Sequence, residues 1–225
     1  MRTYGVLDAL SFVVLAFVGF RIFSGTRLLG RRDVRDHVLD IVRGLRLRHF
    51  MFAPLVLVGV GLVAFSLLQI PGMSWGWWSA IGGVGNPALG VSDNSTGVFE
   101  WLIPAVFITM LLPALPLFAE SEERMFRQGA EHWSNWRRAR RAVEFGLVHA
   151  IIGIPIGVAL ALSVGGVYFT SAYLRGYRRG EDVLIDPDAD RRRRQIQGVM
   201  ESTRTHLAYN VSIVALVAVT VVFGL

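Results

Sequence analysis

Three short patterns in this sequence bring together side chains that could hydrolyse an amide. Glu122, Glu123 and Arg127 form Glu-Glu-x-x-x-Arg; Phe145 and His149 form Phe-x-x-x-His; His206 and Asn210 form His-x-x-x-Asn. A carboxylate in a poorly solvated site can act as a general base near neutral pH. A histidine can orient the attacking water or shuttle its proton. An asparagine amide and a second histidine can donate hydrogen bonds to the oxyanion that develops on a scissile carbonyl. Each pattern alone is weak, but all three sit at the edges of apolar segments, where an ionisable residue is costly and marks function by default.

The spacings are compatible with convergence. His206 and Asn210 lie one helical turn apart, about 6 Å along the axis at 1.5 Å per residue. His149 lies seven residues into its apolar segment, roughly 10 Å from that segment's start. Glu123 and Arg127, at i and i+4, can pair on one helical face and leave Glu122 free to point into the bundle.

The elements that must position these residues are membrane spans. The chain has 225 residues, 53% of them hydrophobic, and a mean hydropathy of +0.48. That is too apolar for an ordinary soluble domain, and the length allows one compact bundle. The expected fold is all-α: a polytopic helical membrane bundle of about five to six membrane helices, with a broken helix or short hairpin at 142–174. It forms a single integral membrane domain over 1–225. The motif-bearing core covers about 98–225, and 1–97 supplies two accessory spans, an amphipathic cytoplasmic segment and an external loop.

Span one is expected over Val6–Phe23, retained because no clear cleavage site follows it. Gly25–His49 is arginine-rich, and Val34, Val38, Ile41, Val42 and Leu45 recur in it at helical spacing, so an interfacial amphipathic helix is predicted. His37 reads as a solvated or headgroup-facing residue, and His49 and His132 as boundary and linker residues. Span two covers Phe50–Ile70. The loop 71–97 lacks arginine and carries Trp75, Trp77 and Trp78, an aromatic belt on the external side. Its Asn94-Ser95-Thr96 matches the glycosylation pattern, a frequent chance match. Span three, Val98–Ala119, contains Pro104, Pro113 and Pro116 and is expected to bend.

Ala142–Leu174 is long for one crossing and short for two. Arginines flank it on both sides, which demands an even number of crossings under the positive-inside rule. Gly153-Ile154-Pro155-Ile156-Gly157 supplies the break. Glu144 is expected to pair with a linker arginine. Gly180–Arg194 reads as a solvated insertion and Thr205–Leu225 as the final span.

Charge and composition exclude other classes. There is no cysteine, so disulfides and thiolate metal sites are absent. The net charge of +6 comes entirely from arginine. Because the arginines flank apolar spans, the charge fits membrane topology and anionic lipid and not nucleic acid.

The three patterns resemble the motifs of the CPBP (Abi) group of intramembrane endopeptidases, which includes the type II CAAX prenyl endopeptidases. Glu122-Glu123-Arg124-Met125-Phe126-Arg127 is similar to the first motif, Phe145-Gly146-Leu147-Val148-His149 to the second and His206-Leu207-Ala208-Tyr209-Asn210 to the third. The resemblance covers roughly Pro113–Val214. It implies a catalytic glutamate at Glu122, a water-positioning histidine at His149 and oxyanion stabilisation by His206 and Asn210, with Glu123, Arg127 and Phe145 in support. The chain departs from the family's pattern in Gln128, which intervenes before Gly129, and in the polar stretch between Tyr177 and Thr205, where a short connection is usual.

The expected activity is peptide-bond hydrolysis near the cytoplasmic face by glutamate-activated water. The substrate would be a peptide or membrane protein, prenylated or a secreted-peptide precursor, and the enzyme would reside in a prokaryotic plasma membrane. No cofactor is expected, but Glu/His/His is also a plausible zinc shell, so a zinc-dependent version stays open. So does a non-catalytic membrane scaffold or immunity protein built on the same bundle. A transporter is less attractive, because the ionisable cluster lies on one side and forms no path across.

Overall fold

A computed structural model describes residues 4–77, 98–180 and 186–223. Among these, every regular element is helical: α1 (Tyr4–Leu28), α2 (Arg32–Arg43), α3 (Leu47–Met51), α4 (Ala53–Leu68), α5 (Val98–Arg127), α6 (Asn135–Val148), α7 (Ile156–Ala161), α8 (Ser163–Arg179) and α9 (Pro187–Phe223). Short 3₁₀ turns occupy Ala130–His132 and His149–Ile152.

Among the described residues, two stretches are long and apolar enough to cross a membrane, Leu47–Leu68 and Ile156–Arg179. Each joins two of the named helices through one residue that keeps right-handed helical dihedrals, Phe52 in the first and Leu162 in the second. Only 11% of the Leu47–Leu68 window is buried inside the molecule. The core helix of a water-soluble protein would be mostly covered. Here Leu55, Val58, Leu62 and Phe65 all face outward from α4, while Ala53 and Val60 face inward. A helix that is apolar on every side needs an apolar surrounding, because each exposed leucine or phenylalanine loses roughly 1.5–3 kcal/mol of burial if water surrounds it.

The expected break after His149 is present. α6 ends at Val148, the 3₁₀ turn follows, and Gly153 takes the left-handed backbone at φ 91° that only glycine adopts freely. Pro155 then leads into α7. The tip of this hairpin docks on the segment that follows α4. Ile156 N donates to Trp75 O (3.0 Å), Gly157 N to Met73 O (2.8 Å), and the Trp77 indole N–H to Ile151 O (2.9 Å). The hairpin therefore runs as deep as α4 does. Its two arms pack closely because glycines line the seam. A methyl group on Gly146 would run into the Ala159 carbonyl, and one on Gly166 would lie 2.9 Å from Ala142 Cα.

α8 and α9 form the next antiparallel pair. Gly176 meets Gly198 and Glu201, and the Tyr173 ring lies on Gly198. The sequence reading of 180–194 as a solvated insertion is corrected here. α9 begins at Pro187, well before the expected Thr205, and carries the four arginines Arg191–Arg194. The reason is visible at its start: the Asp186 side chain accepts from Asp188 N (2.9 Å), Pro187 opens the helix, and Asp188 and Asp190 complement the positive end of its dipole.

The amphipathic segment is helical as α2, with Val38 and Ile41 buried, and Ile41 packs against Leu115 and Leu207. α5 runs as one helix through its three prolines. Trp75 is exposed. Trp78 and the Asn94-Ser95-Thr96 pattern lie outside the described residues.

Candidate active site

The end of α5 carries Glu122, Glu123 and Arg127. The chain stops being helical just after, because Gly129 turns left-handed at φ 91°. Tyr173 fixes this turn. Its hydroxyl accepts from Gly129 N (3.1 Å) and donates to Glu131 Oε2 (2.8 Å), while Gln195 Nε2 donates to Glu131 Oε1 (2.7 Å). The last turn of α5 is thereby held between α8 and α9.

Arg127 and Glu123 pair as their i,i+4 spacing predicts, Nη1 to Oε1 at 3.2 Å, and both are buried to within 1% of full coverage. Such a pair is stable only if each ion has further partners, since removing two charges from water costs several kcal/mol per ion. Arg127 finds them in aromatic faces. Its guanidinium carbon lies 4.1 Å from the centre of the Phe145 ring, 5.5 Å from Phe169 and 5.6 Å from Phe126. Glu123 finds its partner on α9: Oε1 accepts from His206 Nδ1 at 2.9 Å. The same oxygen therefore faces a guanidinium and an imidazole.

That bond sets the state of His206. A carboxylate accepts, so Nδ1 carries a proton and Nε2 is left to face outward from the pair. Nε2 lies 3.8 Å from Glu122 Oε2. The ring is held flat against Phe169 (centroids 4.2 Å apart, 20° between planes) and edge-on to Phe145 (5.6 Å). Position, tilt and tautomer of His206 are all determined by neighbours.

Glu122 differs from Glu123 in having no such partner. Its side chain is about one-third exposed, yet Oε2 is fully covered and makes no hydrogen bond to the protein. The expectation that i,i+4 pairing would occupy Glu123 and leave Glu122 on another face describes their geometry.

His149 stands at the junction between α6 and the 3₁₀ turn. Its Nδ1 lies 2.8 Å from the Phe145 carbonyl oxygen. A carbonyl only accepts, so Nδ1 is the protonated nitrogen and Nε2 is the available acceptor of the neutral ring. Its ring lies edge-on to Phe145, 5.0 Å between centroids. Phe145 is thus the wall shared by Arg127, His149 and His206. Asn210 lies one turn beyond His206 on α9, half-buried. The structure links Glu123 to Arg127 and His206, His206 to Glu122 and Phe145, and Arg127 to Phe145. It places His149 on the same ring, and Asn210 one turn beyond His206 on the same helix.

Of the aromatic residues that build this site, Phe169 lies outside the three motifs, while Phe126 and Tyr209 occupy positions within the first and third. Phe126, Phe145, Phe169 and Tyr209 form one buried cluster with Ala53. Phe169 follows the Gly165-Gly166 pair, which lets α8 approach α6 closely enough for its ring to reach His206. That pair is the one local signal pointing to it.

Three further ion networks lie outside this set. Glu120 is bound by His37 Nε2 (2.7 Å) and Arg124 Nη2 (2.6 Å), so His37, its side chain still 40% exposed, also ties α2 to α5. Glu144 pairs with Arg140 and Arg141, as expected. Glu201 receives Arg48 (2.9 Å), Arg179 (3.2 Å) and His49 (3.5 Å). His49 Nδ1 accepts from Arg46 N, which leaves its Nε2–H turned to Glu201. Burial alone would raise the Glu201 carboxyl, but His49, Arg48 and Arg179 outweigh it and hold the group down at about 2. His49 is buried, a clamp residue and not a free boundary histidine. His132 is exposed beside Glu131.

Among the described residues, no three histidine or carboxylate side chains converge closely enough to hold a metal ion. The donors nearest to doing so, Glu123 and His206 Nδ1, are already committed to each other and to Arg127. The set as placed does not fit zinc.

No family model, no curated protein and no solved structure matches this chain.

Proposed function

We propose that this chain is an intramembrane endopeptidase that uses Glu122 to activate water. The observation that carries this reading is the contrast between neighbouring carboxylates. Glu123 is held through Oε1 by both Arg127 and His206, whereas Glu122 has its covered Oε2 3.8 Å from His206 Nε2 and without a hydrogen bond. A covered and unpaired carboxylate oxygen beside a fixed imidazole is a poised proton acceptor.

In the proposed reaction Glu122 takes a proton from a water that His149 Nε2 orients by accepting its other hydrogen. The hydroxide oxygen forms a bond to the scissile carbonyl carbon. The carbonyl oxygen becomes an oxyanion, which receives hydrogen bonds from the Asn210 amide and from His206 Nε2. Nε2 can donate only when His206 carries both protons, with Nδ1–H directed at the Glu123 carboxylate. Collapse breaks the C–N bond, and the proton held by Glu122 passes to the leaving amine. No cofactor is required.

The resemblance of the three motifs to the CAAX-type endopeptidases supports this chemistry. The arginine distribution supports a bundle of five or six crossings in a prokaryotic plasma membrane, with the site opening to the cytoplasm. Substrates would be peptide or membrane-protein termini, prenylated or derived from secreted-peptide precursors. The test is cleavage of internally quenched peptides, prenylated and unmodified, by purified protein in lipid. Glu122→Gln and His149→Ala should each abolish it, and full activity in either variant sinks the proposal.

One observation favours a second reading. The Glu123, Arg127 and His206 set is buried and joined by ionic contacts across two helices, which would also serve a non-catalytic scaffold or immunity protein. An unchanged cellular phenotype in a Glu122→Gln, His206→Ala double variant would support that reading over the first.

A further inference from the structure

The first three turns of α6 carry an unusual concentration of cations outside the site. Trp136, Arg137, Arg140, Arg141 and Glu144 line a recess of about 480 Å³. Its one carboxylate, Glu144, pairs with Arg140 (2.8 Å) and Arg141 (2.8 Å). Arg137 has no carboxylate partner among the described residues. It stacks on Trp133 instead, 4.9 Å from the ring centre, and Arg141 shares that ring at 5.7 Å. Three guanidiniums thus surround a single carboxylate, and two of them are propped outward by an indole.

What lies beside the recess distinguishes its ligand. Trp136 is 79% exposed, and on the same helical face, one, two and three turns along, come Arg140, Val143 and Leu147. Val143 and Leu147 are both exposed. Along one helix the order is an exposed indole, a cationic recess and an apolar stripe. The same order runs inward from the headgroups of a bilayer leaflet. A water-borne polyanion would satisfy the arginines and leave the stripe bare. A molecule with a phosphate at one end and hydrocarbon at the other covers both.

We propose that this recess binds the headgroup phosphate of an anionic phospholipid whose acyl chains lie along Val143 and Leu147. Guanidinium forks suit phosphate oxygens, and Arg137 and Arg140 can engage without disturbing the hairpin seam, which Ala142 and Gly146 form on another face. Glu144 acts as an internal competitor for Arg140 and Arg141. The inference rests on the reading that the chain is embedded in a bilayer and is independent of the peptidase chemistry.

Native mass spectrometry of the full chain in detergent, titrated with phosphatidylglycerol or phosphatidylcholine of matched chains, tests it. Wild type should retain phosphatidylglycerol preferentially. Arg137→Gln with Arg140→Gln should weaken that retention about fivefold for each arginine removed, and Glu144→Gln should strengthen it. Both sites are exposed, and an unchanged thermal unfolding midpoint verifies that the variants fold. Equal retention of the two lipids by wild type, or an unaltered preference in the double arginine variant, overturns the proposal. Displacement of the lipid by low-millimolar inorganic phosphate would also overturn it, since the recess would then be a soluble-anion site. Release of the protein from membranes by alkaline carbonate without detergent is a separate result, which would sink the bilayer reading itself.

Discussion

Glu123 on α5 and His206 on α9, 83 residues apart in the chain, meet through a 2.9 Å bond from imidazole Nδ1 to carboxylate Oε1. Arg127 completes the contact from the other side of the same oxygen. Glu123 therefore does two tasks at once: it neutralises a buried guanidinium and it aims His206 Nε2 at Glu122.

Adjacent glutamates should consequently respond oppositely to the same change. Glu123→Gln leaves Arg127 buried without its counter-charge and should destabilise the fold by about 3–5 kcal/mol. Glu122→Gln removes no ion pair that holds the core together and should stay within about 1 kcal/mol of wild type. Thermal unfolding of both variants in the same detergent reads the difference. Similar midpoints would show that the pairing described for Glu123 contributes little.

Catalysis should show the reverse weighting. Glu122→Gln removes the proposed proton acceptor, and a general base is worth about a hundredfold to ten-thousandfold in rate. Asn210→Ala removes one proposed oxyanion donor and should lower kcat by about a hundredfold to a thousandfold with little effect on KM. Steady-state cleavage of a quenched peptide supplies both parameters. A rise in KM alone for Asn210→Ala would move that residue from the transition state to substrate binding.

Acid sensitivity should trace to Glu201. Its carboxyl is held down at about 2 in the fold from an ordinary 4.5. A depressed carboxylate contributes stability that is fully present above the unfolded value and is lost as pH falls through the folded one. Wild type should therefore lose stability between about pH 4.5 and 2. Glu201→Gln should be less stable at neutral pH and should show a shallower decline through that window. Unfolding midpoints taken at intervals from pH 6 to pH 2, roughly the range that linkage makes sensitive, compare the two slopes; parallel slopes would mean that the clamp on Glu201 is energetically silent.

The hairpin seam offers a packing test. Gly146→Val places a branched side chain where even a methyl group meets the Ala159 carbonyl. Overpacking of this kind costs about 1–3 kcal/mol, and here it should also displace Phe145 and His149, which share the helix. Reduced stability together with lost activity is expected, whereas Leu147→Val, on the exposed face of the same helix, should be nearly neutral in both assays.

Much of this was legible in the sequence because it is local. The Glu123–Arg127 pair follows from i,i+4 spacing, the break after His149 from Gly153 and Pro155, and the partnering of Glu144 from nearby arginines. The all-helical architecture follows from long apolar runs. What was not legible depends on which helices become neighbours. Nothing around Phe169 says that its ring will stack on His206, and nothing around His37 or His49 says that Glu120 and Glu201 will claim them. The start of α9 is a different kind of omission. Asp186-Pro187-Asp188 is a helix-opening signal in its own right, but the dense mixture of acids and arginines around it resembles a solvated loop.

α9 continues without a break from Pro187 through the arginine run to His206 and on to Phe223. A helix turns by about 100° for each residue of slip, so His206 can face Glu123 in only one axial setting. Gly176 nested on Gly198, and Glu201 gripped from two other helices, together act as a detent that selects this setting, between one and about two turns before the histidine. The aim of the imidazole is thus indexed mechanically from outside the site, by contacts that touch neither Glu122 nor His149.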